Sequence, residues 1–192
     1  MLKLTFQAIR LTLVFTVITG CLYPFVMTLV ARMAFPDQAE GSLVLRDGKL
    51  VGSALIAQQF TGVKYFWPRP SAGTYATVPS GASNLGPTSA QLQTNVNNNL
   101  AALRTAHHLA ADAPVPSDLV FTSASGVDPH ISPEAAKFQI ARVAAARGVA
   151  VEKVSALVDR FTEPLQWGFL GEPRVNVLLL NLALDKMDAK GS

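Results

Sequence analysis

The side chains with the greatest chemical potential lie close together in residues 123–130, Ser-Ala-Ser-Gly-Val-Asp-Pro-His. Ser123 or Ser125 as nucleophile, His130 as base and Asp128 as its orienting group would suit a serine hydrolase. Such triads converge from separate elements, however, and the chain has no Gly-x-Ser-x-Gly turn. The spacing favours a turn in which serine and aspartate side chains accept hydrogen bonds from backbone amides. Hydrolase activity is the lesser alternative.

Metal ligation and phosphate binding are the other chemistries to consider. Asp128 with His130 is too small a set for a metal ion. His107 and His108 diverge by about 100° on a helix and cannot chelate one ion from a single face, so we predict solvated or interface histidines. The segment Ser-Gly-Ala-Ser-Asn-Leu-Gly at 80–86 offers glycine amides to an anion but has no lysine. We predict no catalytic residue and no metal ligand, and assign no cofactor-binding residue.

Several polar residues stand alone in apolar or Gly/Pro-rich surroundings. We expect the arginines among them to pair with acids or carbonyls and so fix loops. An asparagine that is buried and hydrogen-bonded would orient the helix that carries it. These residues are Arg69, Arg142, Arg147, Arg174, Asn176 and Asn181.

Composition and charge exclude several classes of protein. Of 192 residues, 49% are hydrophobic and 15% are charged, which argues against disorder. The net charge of +3 arises at one end, because Lys3, Arg10 and Arg32 precede the first acidic residue, Asp37. The rest is neutral, so nucleic acid is not an expected partner. The single cysteine, Cys21, excludes an intramolecular disulfide.

A membrane span is predicted near the N-terminus. The residues from Leu11 to Ala31 carry no formal charge, and as a helix they would extend about 31 Å, which matches a bilayer core. Pro24 should kink this helix. We therefore predict an N-terminal tail and transmembrane helix over residues 1–35 and a soluble domain over 36–192. The basic residues on the two flanks leave the topology open.

A lipid anchor is the alternative. Ile18-Thr19-Gly20-Cys21 resembles the cleavage box of bacterial lipoproteins, which would make the protein a lipid-anchored extracytoplasmic binding domain. The ten residues after Cys21 are still strongly apolar, whereas a lipid-anchored chain usually begins with a polar tether. This contrast favours an uncleaved helix.

The remainder is predicted to be mixed α+β, with a β-hairpin and about four helices. Asp47-Gly48 between apolar runs at 43–51 predicts the hairpin, and its second strand is expected to continue toward Phe60. No charge occurs between Pro70 and Leu103, where we expect an ordered loop followed by a helix. The other predicted elements are a helix from Ser89 to about Ala110, a short strand at 119–121, a helix from Ser132-Pro133 to Gly148, a helix over 151–161 and a helix opening at Pro173.

A series of motifs makes the chain recognisable from about Leu11 to Leu184. They are Gly20 with Tyr23-Pro24, GSLV at 41, YFWPRPSA at 65, SGASNLGP at 80, SASGVDPHIS at 123 and LGEPRVNVLLLN at 170. Together these motifs resemble the C subunit of the Kdp potassium-transporting ATPase of bacteria and archaea. Two positions depart from the family pattern: Ala82 stands where a second glycine is common, and Cys21 where an aliphatic residue is usual.

The resemblance implies a non-catalytic, single-span subunit whose partners are a P-type ATPase and a channel-like potassium carrier. The family subunit stabilises the complex and acts as a catalytic chaperone that raises the affinity of the pump for ATP. Family topology implies the cell (inner) membrane, with the N-terminus in the cytoplasm and the large domain outside. A domain on that side cannot touch cytoplasmic ATP, so ATP enters here only as a family-level expectation, through the ATP-hydrolysing subunit.

Overall fold

The computed structural model describes the backbone of residues 1–191 and the side chains through residue 187. Two compact units are present, Met1–Ser53 and the residues from Ala54 onward. The predicted fold class is confirmed: a long apolar N-terminal helix is followed by mixed α+β structure with a hairpin and several helices. The domain division at residues 35 and 36 stays a prediction.

The first unit begins with a helix of 33 residues, Leu2–Ala34, with a mean hydropathy of 2.1 in its most apolar window. It comprises α1 (Leu2–Val17), a π-helical segment (Ile18–Leu22) and α2 (Tyr23–Ala34). None of its window is buried within the chain. The helix is therefore long and apolar enough to cross a membrane, and it extends beyond both predicted ends.

The π-helical segment is where the helix accommodates Pro24. Proline has no backbone N–H to continue the ladder, and its ring crowds the carbonyl one turn earlier. The preceding turn is wider, and the Tyr23 amide donates to the Ile18 carbonyl five residues back. The distortion of the helix predicted at Pro24 therefore occurs in the turn that precedes the proline.

The hairpin after the helix is confirmed. A short helix, α3 (Pro36–Ala39), is followed by β1 (Leu43–Arg46) and β2 (Lys49–Ser53). Asp47 and Gly48 at the turn have φ angles of 51° and 74°. The predicted continuation of β2 toward Phe60 is wrong: the strand ends at Ser53, where it has reached the first residue of β1 and no further partner remains.

The second unit packs helices against a small antiparallel sheet. The elements are α4 (Ala90–His107), β3 (His130–Ile131), α5 (Pro133–Arg147), α6 (Val151–Phe161), β4 (Thr162–Glu163), β5 (Arg174–Asn176) and α7 (Val177–Gly191). The strand order is β3-β5-β4, α5 packs on α6, and α6 packs on α7. The core includes Phe66, Val143, Val158, Val175 and Leu180.

Helix boundaries follow the capping residues. The hydroxyl of Ser89 accepts a hydrogen bond from the Leu92 amide at the start of α4. That of Ser132 accepts from the Ala135 amide, with Pro133 at the first helical position. Gly148 ends α5 with a φ of 65°. These boundaries confirm the predictions, although α4 ends at His107 rather than near Ala110.

Two predicted elements are wrong. The strand at 119–121 is a 3₁₀ turn, Ser117–Leu119, because the Ser117 carbonyl accepts from the Val120 and Phe121 amides. The helix at Pro173 begins later, because Arg174–Asn176 forms the central strand β5. The Asn176 side chain then accepts from the Leu179 amide and so caps α7.

Candidate functional site

A segment of five residues, Val63 to Trp67, crosses the second unit without forming a strand; we call it the strap. Two buried amide side chains hold its backbone. Asn181 accepts from the Phe66 amide at 2.8 Å and donates to the Phe66 carbonyl at 2.9 Å. Gln139 accepts from the Trp67 amide at 2.8 Å and donates to its carbonyl at 3.1 Å. These side chains provide the pairing that a neighbouring strand would otherwise give.

Arg142 on α5 provides a further attachment for the backbone of the strap. Its Nη1 donates to the carbonyls of Val63 at 2.5 Å and Tyr65 at 3.1 Å. Its Nη2 donates to Gln139 Oε1 at 2.7 Å, and its Nε donates to His107 Nε2 at 3.0 Å. Burial lowers the pKa of Arg142 to about 10, so the guanidinium is charged at neutral pH.

His107 is half-buried and hydrogen-bonded within the second unit, so it is not fully solvated, and a place at an interface with another subunit stays a prediction. Its ring lies 4.5 Å from the Phe138 ring, and its Nε2 accepts from Arg142. Burial, followed by the charges of Arg142 and His108, lowers the pKa of His107 to about 4. His107 is therefore neutral near pH 7, whereas His108 lies exposed just beyond α4.

Arg147 anchors the remaining part of the strap. Its Nε donates to the Lys64 carbonyl at 2.7 Å, and its Nη2 donates to Asp185 Oδ1 at 3.0 Å. The Tyr65 hydroxyl donates to the other oxygen of Asp185 at 3.3 Å. Arg142 and Arg147 thus bind carbonyls and acids to fix a loop, as the sequence predicts.

The turn at 123–130 uses its polar side chains locally. Ser125 Oγ accepts from the Val127 amide at 3.2 Å, and Asp128 Oδ1 accepts from the His130 amide at 3.0 Å. Arg69 Nη1 donates to Asp128 Oδ2 at 3.2 Å. Burial by itself would raise the pKa of Asp128, but the hydrogen bonds from His130 and the charge of Arg69 outweigh it and lower that pKa.

The four residues weighed as a hydrolase site are close in the fold without forming a catalytic chain. His130 Nδ1 lies 3.6 Å from Asp128 Oδ1. Ser123 is buried and its amide donates to the Pro70 carbonyl, whereas Ser125 is exposed. Within the described residues, no hydrogen bond joins either serine hydroxyl to His130. The arrangement is that of a capped turn, and the absence of catalytic residues stays a prediction.

The uncharged loop after Pro70 packs against this turn. Ser71 Oγ donates to the Gly126 carbonyl at 2.6 Å and accepts from the Tyr75 amide at 2.9 Å. The Tyr75 hydroxyl donates to the Arg69 carbonyl, and burial raises the pKa of Tyr75 to about 12. A Cβ atom at Gly126 would lie 2.8 Å from the Gly81 carbonyl oxygen. The glycine-rich segment at 80–86 therefore contributes a backbone contact to the turn.

A polar cleft of about 710 Å³ opens beside the turn and the start of α5. It mixes charges of both signs, and several of them are already engaged: Arg69 with Asp128, Asp118 with the Ser132 amide, and Arg174 with Glu163. No group of three or more metal-ligating side chains occurs in the described part of the chain. The ionisable lining residues are Arg69, Asp118, Asp128, His130, Glu134, Glu172 and Arg174.

Sequence reasoning missed Gln139 and Asn99. Gln139 is fully buried, and Asn99 on α4 donates to the Val120 carbonyl at 2.8 Å. The sequence signal for Gln139 is a polar residue among the apolar positions of α5, three residues before Arg142. Asn99 carries no distinguishing signal, because it ends a run of three asparagines.

Comparison with known proteins places these features in a family. The family model described as "KdpC: K+-transporting ATPase, c chain" matches residues 5–186. A potassium-transporting ATPase KdpC subunit of Paraburkholderia phytofirmans is 55% identical over 91% of this chain and 92% of its own. Those of Geobacter metallireducens and Rhodospirillum rubrum are each 52% identical, over 94% and 97% of this chain and 96% and 97% of theirs. The chain belongs to the KdpC family, the C subunits of the Kdp potassium-transporting ATPase.

Proposed function

We propose that the chain is a non-catalytic accessory subunit that assembles or stabilises the Kdp complex. Its partners are the potassium-carrier subunit and the P-type ATPase subunit. The observation that carries the proposal is the helix Leu2–Ala34, which is apolar and has none of its window buried within the chain. An apolar surface of this length must be covered by lipid, and within a membrane complex it can also pack against neighbouring helices.

We propose that this helix crosses the cell (inner) membrane once, with the N-terminus in the cytoplasm and the later domain outside. Arg10 and Arg32 bound its charge-free portion, which has the length of a bilayer core. The orientation follows the topology expected for the family. It leaves the domain on the side from which potassium is taken up.

The chemistry of the second unit supports an accessory role. Three of its buried polar side chains hold backbone groups: Asn181 and Gln139 bind the strap, and Arg142 binds two carbonyls. Ser125 and Asp128 accept amides within their turn. These hydrogen bonds maintain a fixed shape, which suits a protein that presents a surface to other subunits.

We further propose that the chain raises the ATP affinity of the ATP-hydrolysing subunit and so acts as a catalytic chaperone. The segment at 80–86 has no lysine, and no charged side chain lies between Pro70 and Leu103, so this stretch itself offers no cation to a phosphate group. The effect on ATP is accordingly assigned to contacts within the complex rather than to nucleotide bound by this chain.

A helix exchange tests the assembly role. Residues 11–31 are replaced by an unrelated apolar helix of equal length, and retention in the membrane is verified by carbonate extraction. Recovery of the ATPase and carrier subunits with the tagged chain should decrease, because helix packing depends on specific side chains. Unchanged recovery and unchanged potassium transport would refute the assembly role of the helix.

The lipid-anchored binding domain is the second candidate, and the residues Ile18-Thr19-Gly20-Cys21 favour it. Intact mass of the chain isolated from its source separates the two. We expect the uncleaved mass, with and without the Cys21→Ser substitution. Loss of the first twenty residues together with a lipid on Cys21 would replace the transmembrane anchor by a lipid anchor.

A further inference from the structure

The turn between β4 and β5 presents large apolar side chains to the surroundings; we call residues 165–171 the aromatic tip. Trp167 is 85% exposed and Phe169 is 72% exposed. Leu170 is also exposed, and it pairs with Gln166 across the turn. Two aromatic side chains this exposed at one turn mark a surface that contacts something other than water.

Four backbone amides of the aromatic tip donate hydrogen bonds within the turn. Gln166 and Leu170 exchange two hydrogen bonds of 2.9 Å. The Gly168 amide donates to the Leu165 carbonyl, and the Phe169 amide donates to the Gln166 carbonyl, both at 3.2 Å. Pairing these amides reduces the cost of moving the turn from water to the headgroup interface, where the remaining backbone groups still find polar partners.

The charges around the aromatic tip do not form a basic surface. Residues 164–171 carry none, the flanking Glu163 is paired with Arg174 at 2.9 Å, and Glu172 adds one negative charge. Tryptophan combines an apolar ring with an N–H donor and prefers the boundary between headgroups and acyl chains. The chemistry therefore fits a neutral phospholipid interface and does not call for anionic lipid.

The chain supplies that interface through its own anchor. Nineteen residues, 35–53, separate the helix Leu2–Ala34 from the second unit, and because they fold as α3 and the hairpin their reach is shorter than the extended limit of about 65 Å. So short a connection keeps the local concentration of bilayer high for an apolar turn on the second unit. We propose that the aromatic tip inserts into the interface of the bilayer that the helix crosses. The proposal rests on the membrane anchoring proposed above.

Tryptophan quenching by brominated phospholipid tests the proposal. The chain has two tryptophans, and neither lies in the membrane helix. Trp67 serves as an internal reference, because its Nε1 donates to the Gly62 carbonyl and its ring lies 4.3 Å from the Arg142 guanidinium. The full chain is reconstituted in phosphatidylcholine vesicles, with or without bromine at carbons 6 and 7 of an acyl chain. The matched variant is Trp167→Phe.

We expect brominated lipid to reduce the emission of the unmodified chain, and Trp167→Phe to abolish that reduction. High salt should leave the quenching unchanged, because the contact is apolar. Equal quenching in both proteins would overturn the proposal. Vesicle flotation distinguishes failure of the membrane anchoring from failure of the lipid contact alone. A chain that does not float with lipid overturns both the anchoring and the lipid contact. A chain that floats but shows equal quenching overturns the lipid contact only.

The assembled complex distinguishes lipid from protein as the occupant. Benzoylphenylalanine placed at position 169 is photoactivated in membranes that contain the complete Kdp complex. An adduct with phospholipid, identified by mass spectrometry, is the expected result. An adduct with another subunit would overturn the proposal and identify the aromatic tip as a protein contact.

Discussion

Asn181 on α7 pairs with both backbone groups of Phe66, accepting from its amide and donating to its carbonyl. The pairing resembles one rung of a β-ladder, with an asparagine side chain in place of a strand. Both residues are buried, so water cannot replace either hydrogen bond. The strap is therefore attached to a helix more than a hundred residues away in sequence.

Asn181→Leu should be strongly destabilising. The substitution preserves volume but leaves the buried N–H and C=O of Phe66 without partners, which lowers the free energy of unfolding by about 3 kcal/mol. Urea denaturation of the full chain in detergent, followed by tryptophan fluorescence, measures the change. Asn97→Ala, at an exposed position of α4, is the control and should be near neutral. A loss below about 0.5 kcal/mol at Asn181 would contradict the role assigned to this pair.

Arg142→Lys should also destabilise the second unit. A lysine ammonium cannot reach the Val63 and Tyr65 carbonyls, Gln139 and His107 with the geometry of a guanidinium. We expect a loss of about 3 kcal/mol in the same denaturation experiment. Arg160→Lys, at an exposed position of α6, controls for the chemical change and should have little effect. Equal stability of the two variants would show that Arg142 does not hold the strap.

The pKa of His107 predicts a pH dependence of stability. That pKa lies near 4 in the folded protein against an ordinary 6.5, so between these values the unfolded chain binds a proton that the folded chain does not. Stability should decrease as the pH is lowered from 6.5 toward 4, by about 2 kcal/mol once solvent screening is allowed for. The lowered pKa of Asp128 acts in a separate range, below its ordinary 3.8.

His107→Gln should flatten that decrease, because glutamine offers an acceptor to Arg142 and does not titrate. His108→Gln provides the comparison. It removes only the last of the three effects that lower the His107 pKa, so it should change the pH profile far less than His107→Gln does. Denaturation midpoints at pH 7, 6, 5 and 4 suffice for the comparison. A profile that is unaffected by His107→Gln would assign the acid sensitivity to another group.

Gly126→Ala should disrupt the contact between the turn at 123–130 and the glycine-rich segment. The new Cβ would lie 2.8 Å from the Gly81 carbonyl oxygen, and the φ of +73° disfavours a side chain. Gly148→Ala measures the conformational cost of a side chain at positive φ alone, because Gly148 has a φ of +65° but nothing within 4 Å. The additional loss at Gly126 then reports the steric contact with Gly81. We expect a loss of about 1 kcal/mol at Gly148 and clearly more at Gly126. Similar losses would mean that the contact with Gly81 adds nothing.

Ser125→Ala tests the accessory role against the hydrolase alternative. The Ser125 hydroxyl accepts one hydrogen bond, from the Val127 amide, at an exposed turn. Its removal should cost at most about 1 kcal/mol of stability. The potassium-stimulated ATPase activity of the complex should be unchanged. A large loss of activity with normal assembly would reopen the nucleophile interpretation.

The sequence predicted the elements whose determinants are local. Ser132-Pro133 and Gly148 delimit α5 through hydrogen bonds and φ angles within a few residues, and Asp47-Gly48 determines the hairpin turn in the same way. The strand β5 escaped prediction because it has three residues, too few for a period, and its partners are distant in sequence.

The candidate site shows the same difference between local and long-range determinants. The sequence predicted that Arg142 and Arg147 fix loops, since a guanidinium in apolar surroundings needs acceptors. It could not identify the strap as their target, because the acceptors lie about eighty residues earlier. The partial burial of His107 escaped prediction for the same reason, because it depends on Phe138 and Arg142 in another helix.

The most direct test of the central claim is co-purification. The chain, with a C-terminal tag, is produced in potassium-starved cells of its source and extracted in mild detergent. The accessory role predicts recovery with a P-type ATPase subunit and a potassium-carrier subunit, together with potassium-stimulated ATPase activity. Recovery of the chain alone, without ATPase activity, would contradict it.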